Sequence, residues 1–358
     1  MLTFTSKHDF CSWLTQFSHP NLIEDWAHSP NIVKVTAAGK FEIALPFAAK
    51  TLVTQLQDWI VQQQTAQEVA SFDYHISVVP KALVTQVANR VKGVKNIIAV
   101  TSAKGGVGKS TTAANLALAI AGSGAKVGLL DADIYGPSVP MMFGMLNAKP
   151  EVRENKWMQP VKAHGIYTHS IGYLVDKADA AIWRGPMASK ALSQLLNETE
   201  WPELDYLVID MPPGTGDIQL TLSQQIPVTG AVIVTTPQDL ALADARKGAA
   251  MFEKVAVPVV GLVENMSYHI CSHCGEKEAI FGVGGAQTLA GEYGLALLAQ
   301  IPLHIHMRED IDAGTPTVMA RPESEHSQIF YALAERICAS LYWQGKAKPE
   351  MIDLALVD

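Results

Sequence analysis

Short apolar runs alternate with helical patterns along most of the chain from residue 97 onward. Near-continuous apolar runs are typical of strands covered on both faces, and a period of 3.6 residues is typical of the helices that cover them. The predicted strands are 97–101, 127–130, 206–209, 231–235, 259–263 and 297–301, and the predicted helices are 109–121, 188–197, 240–254 and 325–342. This alternation predicts an α/β fold with a doubly wound, mostly parallel sheet.

The first 80 residues have shorter elements. Residues 32–35 and 41–45 flank an Ala-Ala-Gly-Lys turn and predict a β-hairpin, which an amphipathic helix around residues 52–60 follows. A further strand is predicted at 74–79, where the alternation stops before Pro80. We therefore expect a small α+β domain at 1–80, a connecting helix or linker at 81–96, the large domain at 97–343 and a tail at 344–358.

Composition and charge indicate an ordinary folded protein. The chain has 358 residues, of which 48% are hydrophobic and 17% charged, so disordered and low-complexity classes are excluded. The formal net charge of −8 argues against a nucleic-acid partner. No apolar run approaches the roughly 18 residues of a spanning helix, and Lys7, His8 and Asp9 stand where a signal peptide would be apolar. We expect a cytoplasmic protein with no membrane partner.

The strongest motif is Thr-Ser-Ala-Lys-Gly-Gly-Val-Gly-Lys-Ser-Thr at residues 101–111, where the first strand of the large domain ends and a helix begins. Glycines let consecutive backbone N–H groups converge with a helix N-terminus on phosphate oxygens. Lys109 adds a charge at the β- and γ-phosphates, and the Ser110 hydroxyl can ligate Mg²⁺. The motif predicts a P-loop NTPase. The candidate ATP-binding residues are Lys104, Gly105, Gly106, Val107, Gly108, Lys109, Ser110 and Thr111.

One position departs from the strict P-loop pattern, because Ala103 stands where the first glycine would be. A second lysine, Lys104, follows it. This resembles the deviant Walker A motif of the MinD/ParA/nitrogenase iron-protein class, in which that lysine reaches the nucleotide of the partner subunit. The resemblance implies a sandwich homodimer and a catalytic Lys104, although the spacing alone would permit a monomer.

Two acidic segments follow predicted strands, Asp131-Ala-Asp133 and Asp210-Met-Pro-Pro-Gly-Thr-Gly-Asp. Ligands of doubly wound sheets sit outside the carboxyl ends of the strands, so these carboxylates face the phosphate loop. Asp210 suits outer-sphere Mg²⁺ binding, Asp131 would support the metal shell, and Asp133 suits orienting the attacking water. The catalytic candidates are thus Lys104, Lys109 and Asp133, and the Mg²⁺ candidates are Ser110, Asp131 and Asp210.

Two of the four cysteines form a Cys-Ser-His-Cys turn, Cys271 and Cys274, and the other two are isolated. Thiolates select iron–sulfur clusters or zinc, and both sites take four ligands. A symmetric dimer would supply the missing pair of thiolates for a cluster. Zinc with His269 or His273, a redox disulfide and an incidental surface turn are the alternatives. Cys11 and Cys338 read as packing residues.

With these motifs in place, residues 96–342 resemble the Mrp/ApbC-type iron–sulfur cluster carrier ATPases. The matching segments are the P-loop, Asp-Ala-Asp-Ile-Tyr-Gly-Pro-Ser, Trp-Arg-Gly-Pro-Met at 183–187, the segment from Asp210, Thr-Pro-Gln-Asp-Leu-Ala-Leu, Val-Glu-Asn-Met-Ser and the cysteine turn. The resemblance implies that Asn265 recognises adenine and that residues 301–303 and 308–316 flank the base. It also implies a homodimer that hydrolyses ATP, binds a bridging 4Fe-4S cluster and works with cluster-assembly scaffolds and apo iron–sulfur proteins.

Residues 1–90 resemble the small iron–sulfur assembly domain that often precedes this ATPase. That domain commonly carries a cysteine after its second strand, whereas this chain has Leu-Pro-Phe-Ala-Ala-Lys at 45–50, so an adaptor or docking role is expected. The rival function is a MinD/ParA-like positioning ATPase with a structural zinc. The tail argues against that rival, because it has no basic amphipathic helix for a lipid surface and no basic stripe for DNA.

Overall fold

A computed structural model describes residues 2–175, 185–214 and 217–348. Its helices are α1 (Lys7–Leu14), α2 (Lys50–Thr65), α3 (Lys109–Gly122), α4 (Val139–Met142), α5 (Gly185–Asn197), α6 (Asp217–Gln225), α7 (Asp239–Lys254), α8 (Gly285–Tyr293), α9 (Ile305–Asp312), α10 (Thr317–Ala320) and α11 (Glu325–Gln344). Its strands are β1 (Val33–Val35), β2 (Phe41–Leu45), β3 (Tyr74–Val78), β4 (Val94–Thr101), β5 (Val127–Asp131), β6 (Val152–Arg153), β7 (Trp157–Met158), β8 (Val161–Ala163), β9 (Ile166–Ser170), β10 (Leu204–Asp210), β11 (Gly230–Thr235), β12 (Val259–Ile270), β13 (Lys277–Glu278) and β14 (Ala296–Leu303).

Among the described residues, the large sheet has nine strands in the order β13-β12-β11-β4-β10-β5-β9-β8, with β14 also paired to β12. The pairs among β4, β5, β9, β10, β11, β12 and β14 are parallel, and β8 and β13 pair antiparallel with their neighbours. Strands such as β4, β5, β10 and β11 are almost wholly buried, as a sheet covered on both faces requires. The predicted doubly wound, mostly parallel α/β fold is confirmed.

Several elements differ from the prediction. The strand predicted at 259–263 continues to Ile270, and β8 and β9 were not predicted. In β9 the sequence Ile-Tyr-Thr-His-Ser has no apolar run, because it carries polar side chains into the interior, where Thr168 bonds to Tyr173 and Ser170 to Asp131. The helices α4, α6, α8, α9 and α10 also escaped prediction, since each has nine residues or fewer and shows too few turns for a clear period.

The connecting segment forms no helix. Residues 81–93 run without regular structure apart from an isolated bridge, and β4 begins at Val94, three residues before the predicted start. Asn96 holds this segment to the sheet, because its Oδ1 accepts from Leu83 N at 3.0 Å and its Nδ2 donates to Lys81 O at 2.9 Å. The segment is therefore fixed to the large sheet by hydrogen bonds between the Asn96 side chain and its backbone.

The N-terminal residues form a separate three-stranded sheet in the order β1-β2-β3, on which α2 packs. The predicted hairpin is confirmed, with β1 and β2 antiparallel, and β3 joins β2 in parallel. Its core is aromatic, and the rings of Phe10 and Phe41 stack with centroids 3.8 Å apart. This core continues without a break into the side chains beneath α11 of the large unit. Across the described ranges, no helix is long and apolar enough to cross a membrane.

Candidate functional site

The glycine-rich loop lies between β4 and α3, at the carboxyl edge of the sheet. Gly106 and Gly108 have φ angles of 81° and 84°, a left-handed conformation that favours glycine. A Cβ on Gly105 or Gly106 would meet nothing within 4 Å, so the loop faces open space. The free N–H groups of the first turn of α3 point the same way. This arrangement suits a polyphosphate, as the motif predicts.

Lys109 and Asp210 form a buried ion pair beneath the loop. Nζ of Lys109 donates to Oδ1 of Asp210, and the exposed fractions of the two residues are 6% and 0%. The same ammonium lies 3.3 Å from Oγ of Ser110. Burial raises the pKa of Asp210, and the charge of Lys109 opposes that rise. Oδ2 of Asp210 is buried with no hydrogen-bond partner among the described residues, which leaves an acceptor free for a ligand.

Asp131 stands beside Asp210 in the register of β5 and β10 and is fully buried. Its Oδ2 accepts from Ser138 N at 2.9 Å, Val139 N at 3.0 Å and Ser170 Oγ at 3.0 Å, while Oδ1 accepts from Asp133 N at 3.1 Å. Burial and the nearby Asp210 raise the pKa of Asp131 to about 7. These bonds engage both oxygens, so the carboxyl group shapes the loop that carries Asp133.

Asp133 and Lys104 lie at the surface of the site. Asp133 is half-buried, and its Oδ1 accepts from Gly136 N at 3.3 Å. Lys104 is exposed, and its carbonyl accepts from Ser102 Oγ at 2.9 Å. Both residues are thus at least partly accessible to solvent.

Asn265 touches the glycine-rich loop from β12. Its Nδ2 donates to the carbonyl of Val107 at 2.8 Å, and a Cβ on Gly108 would collide with that nitrogen. Next to it lies a cavity of about 200 Å³. Its lining is mostly apolar, and it includes Asn265, Met266, Leu303, Met307 and Ile311 with His304 and Arg308 at the polar side. A flat, largely apolar ring with polar edges is the kind of ligand that such a cavity accepts.

The cysteine turn is the tip of the hairpin formed by β12 and β13. Cys271 N donates to Glu276 O at 3.0 Å, and Gly275 N donates to Cys271 O at 2.9 Å. Cys271 is half-buried and Cys274 exposed. Backbone N–H groups of Cys274 and His273 directed at the sulfur lower the pKa of Cys271. A turn that favours the thiolate form favours a metal ligand.

One chain offers these two thiolates without further ligands. Within residues 2–175, 185–214 and 217–348, no three His, Cys, Asp or Glu side chains are placed to hold a metal ion. His269 and His273 therefore do not complete a zinc site with the two cysteines in a single chain. Cys11 and Cys338 are buried elsewhere, and burial raises the pKa of Cys338 to about 12.

Some site residues were not predicted from the sequence. Ser170, which holds Asp131, lies 39 residues away along the chain, and no local pattern marks it. His304 and Met307 of the cavity lie between the segments 301–303 and 308–316 that flank the base by resemblance. Trp183 and Arg184 of the Trp-Arg-Gly-Pro-Met segment, residues 215–216 of the segment from Asp210 and most of the tail lie outside the described residues.

Comparison with known proteins places this geometry in a family. The model of the ParA family described as NUBPL iron-transfer P-loop NTPase matches residues 93–338. A protein of Haemophilus influenzae named iron-sulfur cluster carrier protein is 54% identical over 98% of this chain and 96% of its own length.

Solved structures agree. A nucleotide-binding protein of Archaeoglobus fulgidus in complex with ADP is 39% identical, with a TM-score of 0.58 over 67% of this chain and 94% of that chain. The cell division ATPase MinD of Pyrococcus furiosus, 23% identical, shares the fold with a TM-score of 0.52 over 68% of this chain and 98% of that chain. With its deviant phosphate loop, its buried Lys109–Asp210 pair and its matches across the large unit, this chain belongs to the ParA-type family of NUBPL iron-transfer P-loop NTPases.

Proposed function

We propose that this protein is an ATP-hydrolysing iron–sulfur cluster carrier that binds a 4Fe-4S cluster between two subunits and transfers it to apoproteins. The observation that carries the proposal is the path of β12. This strand presents Asn265 to the phosphate loop and six residues later begins the turn with Cys271 and Cys274. A nucleotide site and a two-thiolate site thus share one strand. The name of the Haemophilus influenzae relative supports the same function.

The nucleotide half of the site would work through the glycine-rich loop. The backbone N–H groups from Gly105 to Thr111 would donate to the phosphates. Lys109, the first residue of α3, would neutralise the negative charge of the β- and γ-phosphate oxygens. Asn265 would contact the adenine in the adjacent cavity. Since its Nδ2 is occupied by the Val107 carbonyl, the Oδ1 remains to accept from an exocyclic amino group.

The oxygen ligands near Lys109 fit Mg²⁺. A magnesium ion, when bound, neutralises charge on the phosphate oxygens. Ser110 Oγ would ligate it, and Oδ2 of Asp210, buried without a hydrogen-bond partner in the described part of the chain, would accept from its water shell. Asp131 would support that shell by fixing the loop through Asp133 N. Asp133 would orient the water that attacks the γ-phosphate.

Dimerisation would complete both the cluster site and the nucleotide site. The cluster, as cargo, takes four thiolates, and one chain supplies two at the hairpin tip, so the equivalent pair of a second copy supplies the others. The exposed ammonium of Lys104 would reach the nucleotide of the partner subunit. The partners of the dimer would be cluster-assembly scaffolds on loading and apo iron–sulfur proteins on delivery.

The experiment that tests this function is anaerobic reconstitution with iron and sulfide, followed by iron, sulfide and zinc analysis and determination of the oligomeric state. We expect about four iron and four sulfide per dimer by ligand counting. Cys271→Ala and Cys274→Ala should lose the cluster and keep nucleotide binding, because the phosphate loop is built elsewhere. Cys11→Ala is the matched control, since it removes a buried thiol outside the hairpin and should keep the cluster.

Two results would contradict the carrier function. A cluster that survives both substitutions in the turn would place it elsewhere. One zinc per chain with no cluster would favour the positioning ATPase with a structural zinc.

A further inference from the structure

A bulge interrupts β12 between the nucleotide cavity and the cysteine turn. Glu264 pairs with Gln300 of β14 and Asn265 with Ile301, but the next pair is His269 with Leu303. Four steps along β12 therefore oppose two along β14. Met266, inside the bulge, has a φ of 54°, which a side chain of its size rarely adopts. Surrounding contacts must hold such a backbone in place.

Glu264 supplies those contacts. It is 1% exposed, and its carboxylate accepts from three donors on three segments. Ser267 Oγ donates from the far side of the bulge, Ala286 N donates at 3.2 Å from the first turn of α8, and Gln300 Nε2 donates at 2.8 Å from β14. Gln300 Nε2 also lies 3.1 Å from Ser267 Oγ. The carboxylate thus closes the bulge and ties it to both neighbouring elements.

The two residues enclosed by the Glu264–Ser267 bond are those that face the nucleotide cavity. Asn265 holds the Val107 carbonyl and lines the cavity, and Met266 forms part of the cavity wall. A Cβ on Gly108 would collide with Nδ2 of Asn265, so the amide occupies space that only a glycine at this position leaves open. The position of the Asn265 amide therefore depends on the bulge on one side and on the phosphate loop on the other.

We infer that Glu264 is a positioning residue for base recognition, which sets the ATP selectivity of the site without touching the nucleotide. This inference rests on the proposed function, in which Asn265 contacts adenine. Fixed by the bulge, Oδ1 of Asn265 accepts from the amino group of adenine and repels the carbonyl oxygen that guanine has there. Released from the bulge, the amide turns, gives up its bond to the Val107 carbonyl and loses this discrimination. The hydrogen bonds of Glu264 itself go to Ser267, Ala286 and Gln300, so the glycines and Lys109 that would hold the phosphates lose no direct contact.

The test compares the affinities of the full-length protein for Mg-ATP, Mg-GTP and inorganic triphosphate with Mg²⁺. In Glu264→Ala the donors of Ser267, Ala286 and Gln300 lose their partner, and the bulge no longer fixes Asn265. The ATP affinity should therefore fall at least about tenfold, and the preference for ATP over GTP should disappear. The triphosphate affinity should stay within about twofold of the unsubstituted protein, since the glycines and Lys109 that would bind the phosphates make no hydrogen bond with Glu264. Glu264→Gln, which keeps an acceptor oxygen, should recover part of the ATP preference.

Glu335→Ala is the matched control. This glutamate is 2% exposed and accepts from Thr51 N at 2.7 Å, and it does not line the nucleotide cavity. It should lower stability and leave the ATP-to-GTP ratio unchanged. Ser267→Ala is the second variant, because it opens the bulge without removing the carboxylate, and it should lower the ratio even where Glu264→Ala does not fold.

The outcomes separate the inference from the function on which it rests. An unchanged ATP-to-GTP ratio in Ser267→Ala and in the folded Glu264 variants overturns the positioning role. A parallel loss of ATP and triphosphate affinity also overturns it, since that loss reports a general defect of the loop. Unsubstituted protein that binds ATP no better than GTP or triphosphate refutes the proposed adenine site itself.

Discussion

Replacing Lys109 with alanine should destabilise the fold as well as abolish ATP hydrolysis. Lys109 is 6% exposed and Asp210 0%, and the ammonium is the cation bonded to that carboxylate. Its removal leaves a buried charge whose other oxygen already lacks a hydrogen-bond partner in the described part of the chain. Breaking a buried pair in this way costs about 3–5 kcal/mol of the free energy of unfolding.

The pH dependence of that cost follows from the sign of the pKa shift. Burial raises the pKa of Asp210, and removing Lys109 takes away the charge and the hydrogen bond that oppose this rise most strongly. A carboxyl group with a raised pKa in the folded state takes up its proton there before it does so in the unfolded chain. The contribution of this group to the free energy of unfolding is therefore present at low pH and lost as pH rises through the folded-state pKa. The difference in free energy of unfolding between Lys109→Ala and the unsubstituted protein should therefore become smaller on acidification from pH 7 toward pH 5.

The assay is urea unfolding without nucleotide, together with ATP hydrolysis, on three proteins. These are the unsubstituted protein, Lys109→Ala and Lys109→Ala/Asp210→Asn. The double variant removes the uncompensated charge, so most of its stability should return, while hydrolysis stays absent because the phosphates lack their cation. Equal unfolding midpoints and slopes for Lys109→Ala and the unsubstituted protein at pH 7 would refute the buried-pair reasoning. ATP hydrolysis by the double variant would refute the role of Lys109.

Three further predictions concern other parts of the site. Asp133→Ala should bind ATP normally and slow single-turnover hydrolysis by about 10²-fold or more, the size of a general-base contribution, and hydrolysis at the original rate would be evidence against its water-orienting role. Lys104→Ala should keep nucleotide binding and lower hydrolysis through the dimer, and full activity would count against a shared site. His169 is fully buried without a hydrogen-bond partner in the described ranges, and burial lowers its pKa to about 4. The unfolded chain therefore binds a proton below pH 6.5 that the folded state refuses, so stability should fall by about 2 kcal/mol from pH 7 to pH 5 and His169→Phe should remove that part of the loss in urea titrations.

Hydrophobic patterning predicted the elements that are long or fully apolar. The strands β4, β10 and β11 contain apolar runs at 97–100, 206–209 and 231–234 because both of their faces are covered, so their sequences carry the signal. β9 carries His169 and Ser170 into the interior, where Ser170 bonds to Asp131. A strand that uses buried polar groups to hold a site has no apolar run. Hydrophobic patterning therefore did not predict β9, because the strand holds the site with polar residues.

Some residues of the candidate site could be predicted from the sequence and others could not. The phosphate loop and its lysine are contiguous in sequence, so motif spacing alone indicates them. The Glu264 contacts join residues 22 and 36 positions apart in the chain, from a helix N-terminus and from β14. No local pattern encodes such distances, because they arise from the order of strands in the sheet. The backbone angle of Met266 is likewise a result of packing, since its residue type alone disfavours it.

The N-terminal unit is attached where the resembling assembly domain commonly carries a cysteine. Phe47, Ala48 and Ala49 of that loop are fully buried against the large unit. Ala49 N and Lys50 N donate to the carbonyl of Ser123, which ends the helix that begins at the phosphate loop, at 3.0 and 3.2 Å. A thiol at these positions would be shut away from solvent and could not exchange a cluster. The departure in sequence thus has a physical reason, because the loop serves as a contact to the nucleotide-binding helix.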